Sequence, residues 1–474
     1  MDVDAQVSLA RMYQEGDLVP KNASWSFHWS LQAARQGHVA SQVRVANAYF
    51  EPQHPDDSAI GDSSLSSSSS SSLSQNHFGK PDNARAAEWY REAALNGEPS
   101  AQNRLGWLYD NGKGVIRDDT EAMKWFTRAA EQGYSVAQFN LGCMYEQGRD
   151  GSGRSSSNSS SSSNDTEQYN AHAKERMKHW FTLSAQQGFA LGQVSLGDLY
   201  AYGINPTDDA TAVSWYRRAA NQLNAKGQYK LSLMLYYGRG VDQNYESSAR
   251  WCRWAAEAGN ADSQVLYGVM HALGHGVAQD DSKAVEWCRR AADQGHAVGQ
   301  FNMGSAYDLG QGVDQDDMEA LRWYMKSATQ EYGFAQFAVG SLFELGGSGG
   351  QGIERSMDEA AFWYGKAIQQ KDGPWEAKPH WDIMCSDERR ALKTDAELVS
   401  WYVQQAEQGN AAAQYNVGLM HEKALLGVPK NVFQAIEWYD KAAKQGHDAS
   451  GERQKFLSRV HSFQVGDEQV MQVH

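Results

Sequence analysis

Two stretches of this chain align without a gap 36 residues apart: GQYKLSLMLYYGRGVDQNYESSARWCRWAAEAG from Gly227 and SQVLYGVMHALGHGVAQDDSKAVEWCRRAADQG from Ser263. A unit of that length cannot enclose a core of its own, so the chain must fold as an array in which each unit covers the next. Leu266, Tyr267, Gly268 and Met270 recur at three- and four-residue steps in the first half of the unit, and Ala284, Trp287, Cys288, Ala291 and Ala292 do so in the second. Both patterns are helical. Between them, Gly274-His275-Gly276-Val277 supplies a glycine able to close one helix in the left-handed conformation, and Asp280 or Asp281 can cap the next. The unit is a helical hairpin.

A tryptophan eight residues before the end of each unit recurs eleven times, from Trp29 to Trp438, among 16 tryptophans in all. Burying such a ring removes about 150–250 Å² from water, an upper-bound gain of roughly 4–6 kcal/mol before entropy. One hairpin cannot bury it alone. Pairs such as Ala129-Ala130 and Ala291-Ala292 lack bulk, so a neighbouring hairpin can approach and is expected to cover the ring.

The 474 residues divide accordingly. Repeats one to nine occupy 1–370, with serine-rich insertions at 51–80 (Ser66 to Ser72 unbroken) and 150–166 (around Ser155 to Ser163) that cannot form a core and are expected to be disordered. Residues 371–395, containing GPWEAKPHWDIMCSDERR, replace the first helix of repeat ten. Residues 396–448 hold its second helix and repeat eleven, and 449–474 form a cap and tail. A net charge of −15 argues against nucleic acid and anionic membrane surfaces as partners. No run reaches the roughly 20 apolar residues of a membrane span. MDVDAQVSLA lacks the apolar core of a signal peptide, so a cytoplasmic location is expected, with the nucleus as alternative. Cys252 and Cys288 occupy equivalent sites in adjacent hairpins, about 10 Å apart at ordinary helix spacing, too far for a disulfide.

The spelling A-Q-x-x-L-G-x-x-Y-x-x-G-x-G-V followed by A-x-x-W-Y-x-x-A-A-x-x-G resembles the Sel-1-like repeat family. In repeat three it is carried by Ala101-Gln102, Leu105-Gly106, Tyr109, Gly112, Gly114-Val115, Ala122, Trp125-Phe126, Ala129-Ala130 and Gly133. The 34-residue tetratricopeptide repeat, with its tryptophan early in the first helix, does not fit. The resemblance implies an all-α, right-handed α/α superhelical solenoid of about eleven hairpins. It also implies an adaptor or scaffold role, as in membrane-protein degradation complexes, chitin-synthase activation or bacterial host binding.

Strings that imitate catalytic motifs have local explanations. GRGV, GHGV and GQGV at Gly238, Gly274 and Gly310 follow no strand and precede no Gly-Lys-Ser/Thr, so they are turns. The pairs Asp118-Asp119, Asp208-Asp209, Asp280-Asp281 and Asp316-Asp317 each open a helix, where a carboxylate suits the free amides. His271 and His275 lack a metal-ligating partner, and no catalytic triad can be assigned. Neither cofactor nor metal is expected. Counting from the opening Ala, Gly or Ser of a unit, positions four, seven and eleven share a strip facing away from the hairpin core. It is apolar in repeats six and seven, at Leu233, Tyr237, Leu266, Val269 and Leu273 beside Lys230, and at Trp107 in repeat three. These residues are expected to bind a partner unless superhelical curvature buries position seven. The expected function is a non-enzymatic adaptor holding a protein or peptide. The alternatives are a regulatory or activator subunit of a degradation or chitin-synthase complex, or a hydrolase whose titratable groups converge near His380, Asp382 and Cys385.

Overall fold

The computed structural model describes residues 2–50, 82–149, 163–203, 207–346 and 353–458, the last stretch without 372, 375, 387, 388, 390, 393, 452 and 456. The expected insertion at 51–80 lies outside them, as does most of that at 150–166, of which 163–166 belong to a helix. The chain forms two compact units, Met1–Asn244 and Tyr245–His474. No strand occurs among the described residues.

The first unit contains α1 (Val3–Glu15), α2 (Ala23–Arg35), α3 (Val39–Tyr49), α4 (Asn83–Leu95), α5 (Pro99–Asn111) and α6 (Asp119–Glu131). It continues with α7 (Ser135–Glu146), α8 (Ser163–Gln186), α9 (Ala190–Asp198, extended by a π turn at Leu199–Gly203), α10 (Asp209–Asn221) and α11 (Ala225–Tyr237). The second unit contains α12 (Tyr245–Glu257), α13 (Ala261–Leu273), α14 (Asp281–Asp293), α15 (Ala297–Leu309), α16 (Asp317–Ala328) and α17 (Gly333–Leu345). After these come α18 (Met357–Gln369), α19 (Ala377–Cys385), α20 (Asp395–Glu407), α21 (Ala411–Lys423), α22 (Val432–Ala443) and a helical segment at 448–458. Within each unit, consecutive helices pack against each other as stacked hairpins.

The repeated spelling has direct structural causes. Gly274 closes α13 at φ 71°, and the Asp280 carboxylate accepts from Lys283 N to cap α14. The second turn glycine, Gly276, is needed twice over: its φ is 72°, and a Cβ there would lie 2.1 Å from the Tyr245 carbonyl oxygen. The glutamine that opens the first helix reaches the carbonyl of the preceding hairpin's last alanine, as Gln102 does to Ala94 and Gln264 to Ala256. In these two the amide oxygen accepts from a glutamine 30 residues on, Gln132 or Gln294. These bonds satisfy polar groups that stacking would otherwise bury unpaired.

One expectation is corrected. Of the eleven recurring tryptophans, only Trp125, Trp323 and Trp363 are buried, and the others are half-buried. The ring enclosed completely is the residue after it, among them Tyr90, Phe126, Phe181, Tyr216, Tyr364, Tyr402 and Tyr439. That ring packs on the glycine of the Leu-Gly or Val-Gly pair, where a Cβ at Gly142 or Gly418 would fall 2.3 or 2.5 Å from it. The indole is bulkier and carries an N–H that favours a wet edge. A cation one turn on covers its face: Arg218 lies 4.4 Å from the Trp215 ring, Arg290 4.2 Å from Trp287 and Lys441 3.8 Å from Trp438.

Candidate functional site

Three first helices of the second unit carry a carboxylate at position ten: Asp308 on α15, Glu344 on α17 and Glu422 on α21. Each accepts from the tyrosine after its hairpin's tryptophan, Tyr324 at 3.4 Å, Tyr364 at 2.6 Å and Tyr439 at 2.5 Å. The hairpin alone dictates that bond. The remaining partners come from far along the chain.

Asp308 binds both Lys423 at the end of α21 and Arg453 in the 448–458 segment. Lys423 Nζ donates to Asp317 at 2.7 Å, and Arg453 Nη1 to Glu422 at 2.9 Å. All five groups are buried. Burial alone would push the Asp308 carboxyl up; Arg453 and Lys423 outweigh it and hold it below the usual carboxylate range.

Beside this cluster, Glu344 accepts from Tyr402 Oη at 2.5 Å, Asn416 Nδ2 at 2.6 Å and His380 Nδ1 at 2.9 Å, besides Tyr364. It joins repeats nine, ten and eleven. Burial opposes its charge, yet His380 and the two phenols keep its carboxyl below the ordinary value. His380 Nε2 lies 3.4 Å from His447 Nε2, and His447 Nδ1 faces Ser450 Oγ at 3.0 Å. Serine, two histidines and a carboxylate in line resemble a nucleophile relay, but all four are at most 1% exposed and no substrate can reach them. His447 Nδ1 accepts from Ser450 N as a helix cap, just as His38 does from Ser41 N and His296 from Gly299 N. Burial, then the neighbouring His380, lowers the His447 pKa to about 3. Its folded value thus lies below the ordinary histidine value of 6.5. The stability this histidine contributes is therefore complete above pH 6.5 and is lost as pH falls toward 3. Urea midpoints of the full chain are expected to drop between pH 6.5 and 4.5 with a slope of up to about 1.4 kcal/mol per pH unit. His447→Asn, which keeps an acceptor for Ser450 N, should flatten that slope.

Against the Asp308 cluster lies a cavity of about 350 Å³. The strip positions of three repeats form its walls: Asn302, Ser305 and Leu309 of repeat eight, Ala338, Ser341 and Leu345 of repeat nine, Leu419 and Lys423 of repeat eleven. Phe301, Tyr332 and Phe334 line it too, and Glu376, Asp448 and Arg453 add charge.

The residues singled out from sequence fall as follows. In the first unit, Lys230 Nζ pairs with Asp198 at 2.8 Å and lies over the Tyr202 ring, Leu233 is half-buried and Tyr237 is 63% exposed. In the second, Leu266 and Val269 are half-buried and Leu273 is 51% exposed. Trp107 is buried, edge-on to Phe50 and beneath Lys113, because an aromatic neighbour and a lysine stem close over it; its ring belongs to the core. His380 points into the core, while Asp382 pairs with Lys378 on the surface and Cys385 is half-buried, so the three do not converge. Asp308, Glu344, Glu376 and Arg453 had not been singled out. Among the described residues no three of His, Cys, Asp and Glu are grouped to hold a metal ion, and no helix is long and apolar enough to cross a membrane.

Comparison with known proteins adds a family. The Sel1 repeat model matches residues 3–38, 76–98, 99–134, 135–157, 190–222, 225–260, 261–296, 297–332, 333–372 and 411–447. Among solved structures, a protective antigen of uropathogenic Escherichia coli with an SLR fold is similar at TM-score 0.58 and 29% identity, over 97% of this chain and 88% of that one. A Sel1 repeat protein from Oxalobacter formigenes is similar at TM-score 0.39 and 25% identity, over 96% and 93%. A 92-residue stretch, 19% of the chain, is 35% identical to chitin synthase regulatory factor 3 of Schizosaccharomyces pombe and spans 10% of that protein's length. By repeat spelling, hairpin architecture and matches covering most of its length, this chain belongs to the Sel1 repeat family.

Proposed function

We propose that the chain is a non-enzymatic adaptor that holds a protein or peptide segment on the strip formed by positions four, seven and eleven of its first helices. The observation that carries this reading is the cavity whose walls are those positions in repeats eight, nine and eleven. Core residues Leu345 and Leu419 and the half-buried Leu309 and Ala338 line a recess there beside Asn302 and Ser305, with apolar and polar groups mixed as in a recognition site. The buried Ser450-His447-His380-Glu344 line faces no open space, which favours binding over bond-making chemistry. Elsewhere the strip offers Leu233 and Tyr237 in the first unit, and Leu266, Val269 and Leu273 in the second. Stacked helices present such groups preorganised, so the partner bears most of the ordering entropy.

Tyr237→Asp and Leu273→Asp are the test. Both side chains are exposed, so each variant is expected to keep its urea midpoint within about 0.5 kcal/mol of stability. Partners recovered on the intact protein from its source cells should be lost from at least one variant. Unchanged recovery on both sinks the strip as the docking surface. A second reading makes the partner an enzyme and this chain its regulatory subunit, of the chitin-synthase or degradation type. The 92-residue likeness to a chitin synthase regulatory factor supports it. An activity of the recovered partner that changes when this chain is added separates the two.

A further inference from the structure

We infer that the cavity of the second unit receives a basic side chain, lysine or arginine, from a protein partner; this rests on the adaptor reading and names the partner's chemistry. Glu376 carries the argument. It lines the cavity and is 2% exposed, yet its carboxylate caps nothing in its own helix and pairs with no cation among the described residues. Its hydrogen bond is from Asp448 N, at the start of the 448–458 helical segment, to Oε1 at 2.8 Å, and no charged donor accompanies that amide. A buried carboxylate left so is costly unless a charged donor completes it.

The charges around it point the same way. Lys423 and Arg453 are engaged by Asp308, Asp317 and Glu422, which already leaves that cluster one negative charge in excess. Glu376 and the exposed Asp448 deepen the excess, so an acidic ligand would be repelled and a neutral one would leave Glu376 uncompensated. The remaining wall suits the stem and face of a basic side chain. Phe301, Tyr332 and Phe334 stand with ring centroids 5.4 to 6.5 Å apart, and Phe334 is 38% exposed. Aromatic faces attract ammonium and guanidinium groups, and the methylenes of Lys and Arg cover apolar surface. A volume of about 350 Å³ holds one long side chain and not a helix. The chain's net charge of −15 steers a basic partner toward it.

The full chain is titrated with n-butylguanidinium and n-butylammonium, and with neutral n-pentanamide as shape control, by ligand-observed NMR. The cations should bind in preference to the amide, and Glu376→Gln, which keeps an oxygen for Asp448 N, should weaken them about tenfold or more. Equal binding of the amide, or undiminished cation binding by Glu376→Gln, overturns the inference. Should Glu376→Gln not fold, the exposed Asp448→Asn takes its place: weaker cation binding supports the proposal and unchanged binding overturns it. An array of immobilised peptides separates the two levels of the reading. Retention of Lys- or Arg-containing peptides, lost with the variant, supports both. Retention of peptides without them overturns this inference and leaves the adaptor; retention of none, with n-butylguanidinium still bound, overturns the adaptor and leaves a cation pocket.

Discussion

Glu344→Ala is expected to destabilise the second unit by about 3–5 kcal/mol, the range for breaking a buried charged network from one side. The carboxylate is 1% exposed and serves four donors: Tyr364, Tyr402, Asn416 and His380. Alanine leaves all four without their common acceptor, and those donors belong to α18, α20, α21 and α19. Repeats nine to eleven should therefore loosen together. Hydrogen exchange of the full chain is the measurement: protection should fall across 333–458 and persist in α1 to α7, because an array couples mainly nearest neighbours. Loss confined to α17 would mean that Glu344 is no hub. Glu344→Gln should be milder but still costly, since its amide presents hydrogens to one of the same donors.

The second large effect is expected at Lys423. Lys423→Met removes the cation that bridges Asp308 and Asp317, two carboxylates that are 5% and 6% exposed. A cost of about 3–5 kcal/mol is expected, read as a lowered urea midpoint of the full chain. Adding Asp308→Asn to Lys423→Met should cost less than the sum of the two single changes, because the two groups bind each other directly and the second change removes a contact already lost. Strict additivity would show that the pair does not couple. Asp308 also supplies a pH signature. Its folded pKa is held below the ordinary 3.8. The stability it contributes is thus present above that value and lost as pH falls through the folded pKa, lower than the window assigned to His447.

The sequence made the hairpin legible because its determinants are local. The closing turn glycine, the aspartate caps at Asp118, Asp208, Asp280 and Asp316 and the apolar periodicity all act within about 36 residues, and all are found where the spelling implies. The glutamine ladder was also written there, as a pair 30 residues apart in repeat after repeat, but single-helix periodicity has no place for a polar bridge. The burial of the indoles was overestimated for a related reason. Counting apolar area ranks tryptophan above its neighbour, whereas packing density at the Leu-Gly site selects the smaller flat ring.

What the sequence by itself determined is the hairpin, its number and its stacking, since each follows from contacts between residues one unit apart or less. What only the tertiary structure decided is the fate of position ten. The same carboxylate position holds Asp110 in the first unit, where it stays partly exposed and pairs with Arg149, and Asp308 in the second, where it is buried under Lys423 and Arg453. Those partners stand 115 and 145 residues away. No periodicity encodes contact over that distance, because it depends on how small rotations between successive hairpins add up until distant first helices meet. The cavity and Glu376 within it exist only through that accumulation.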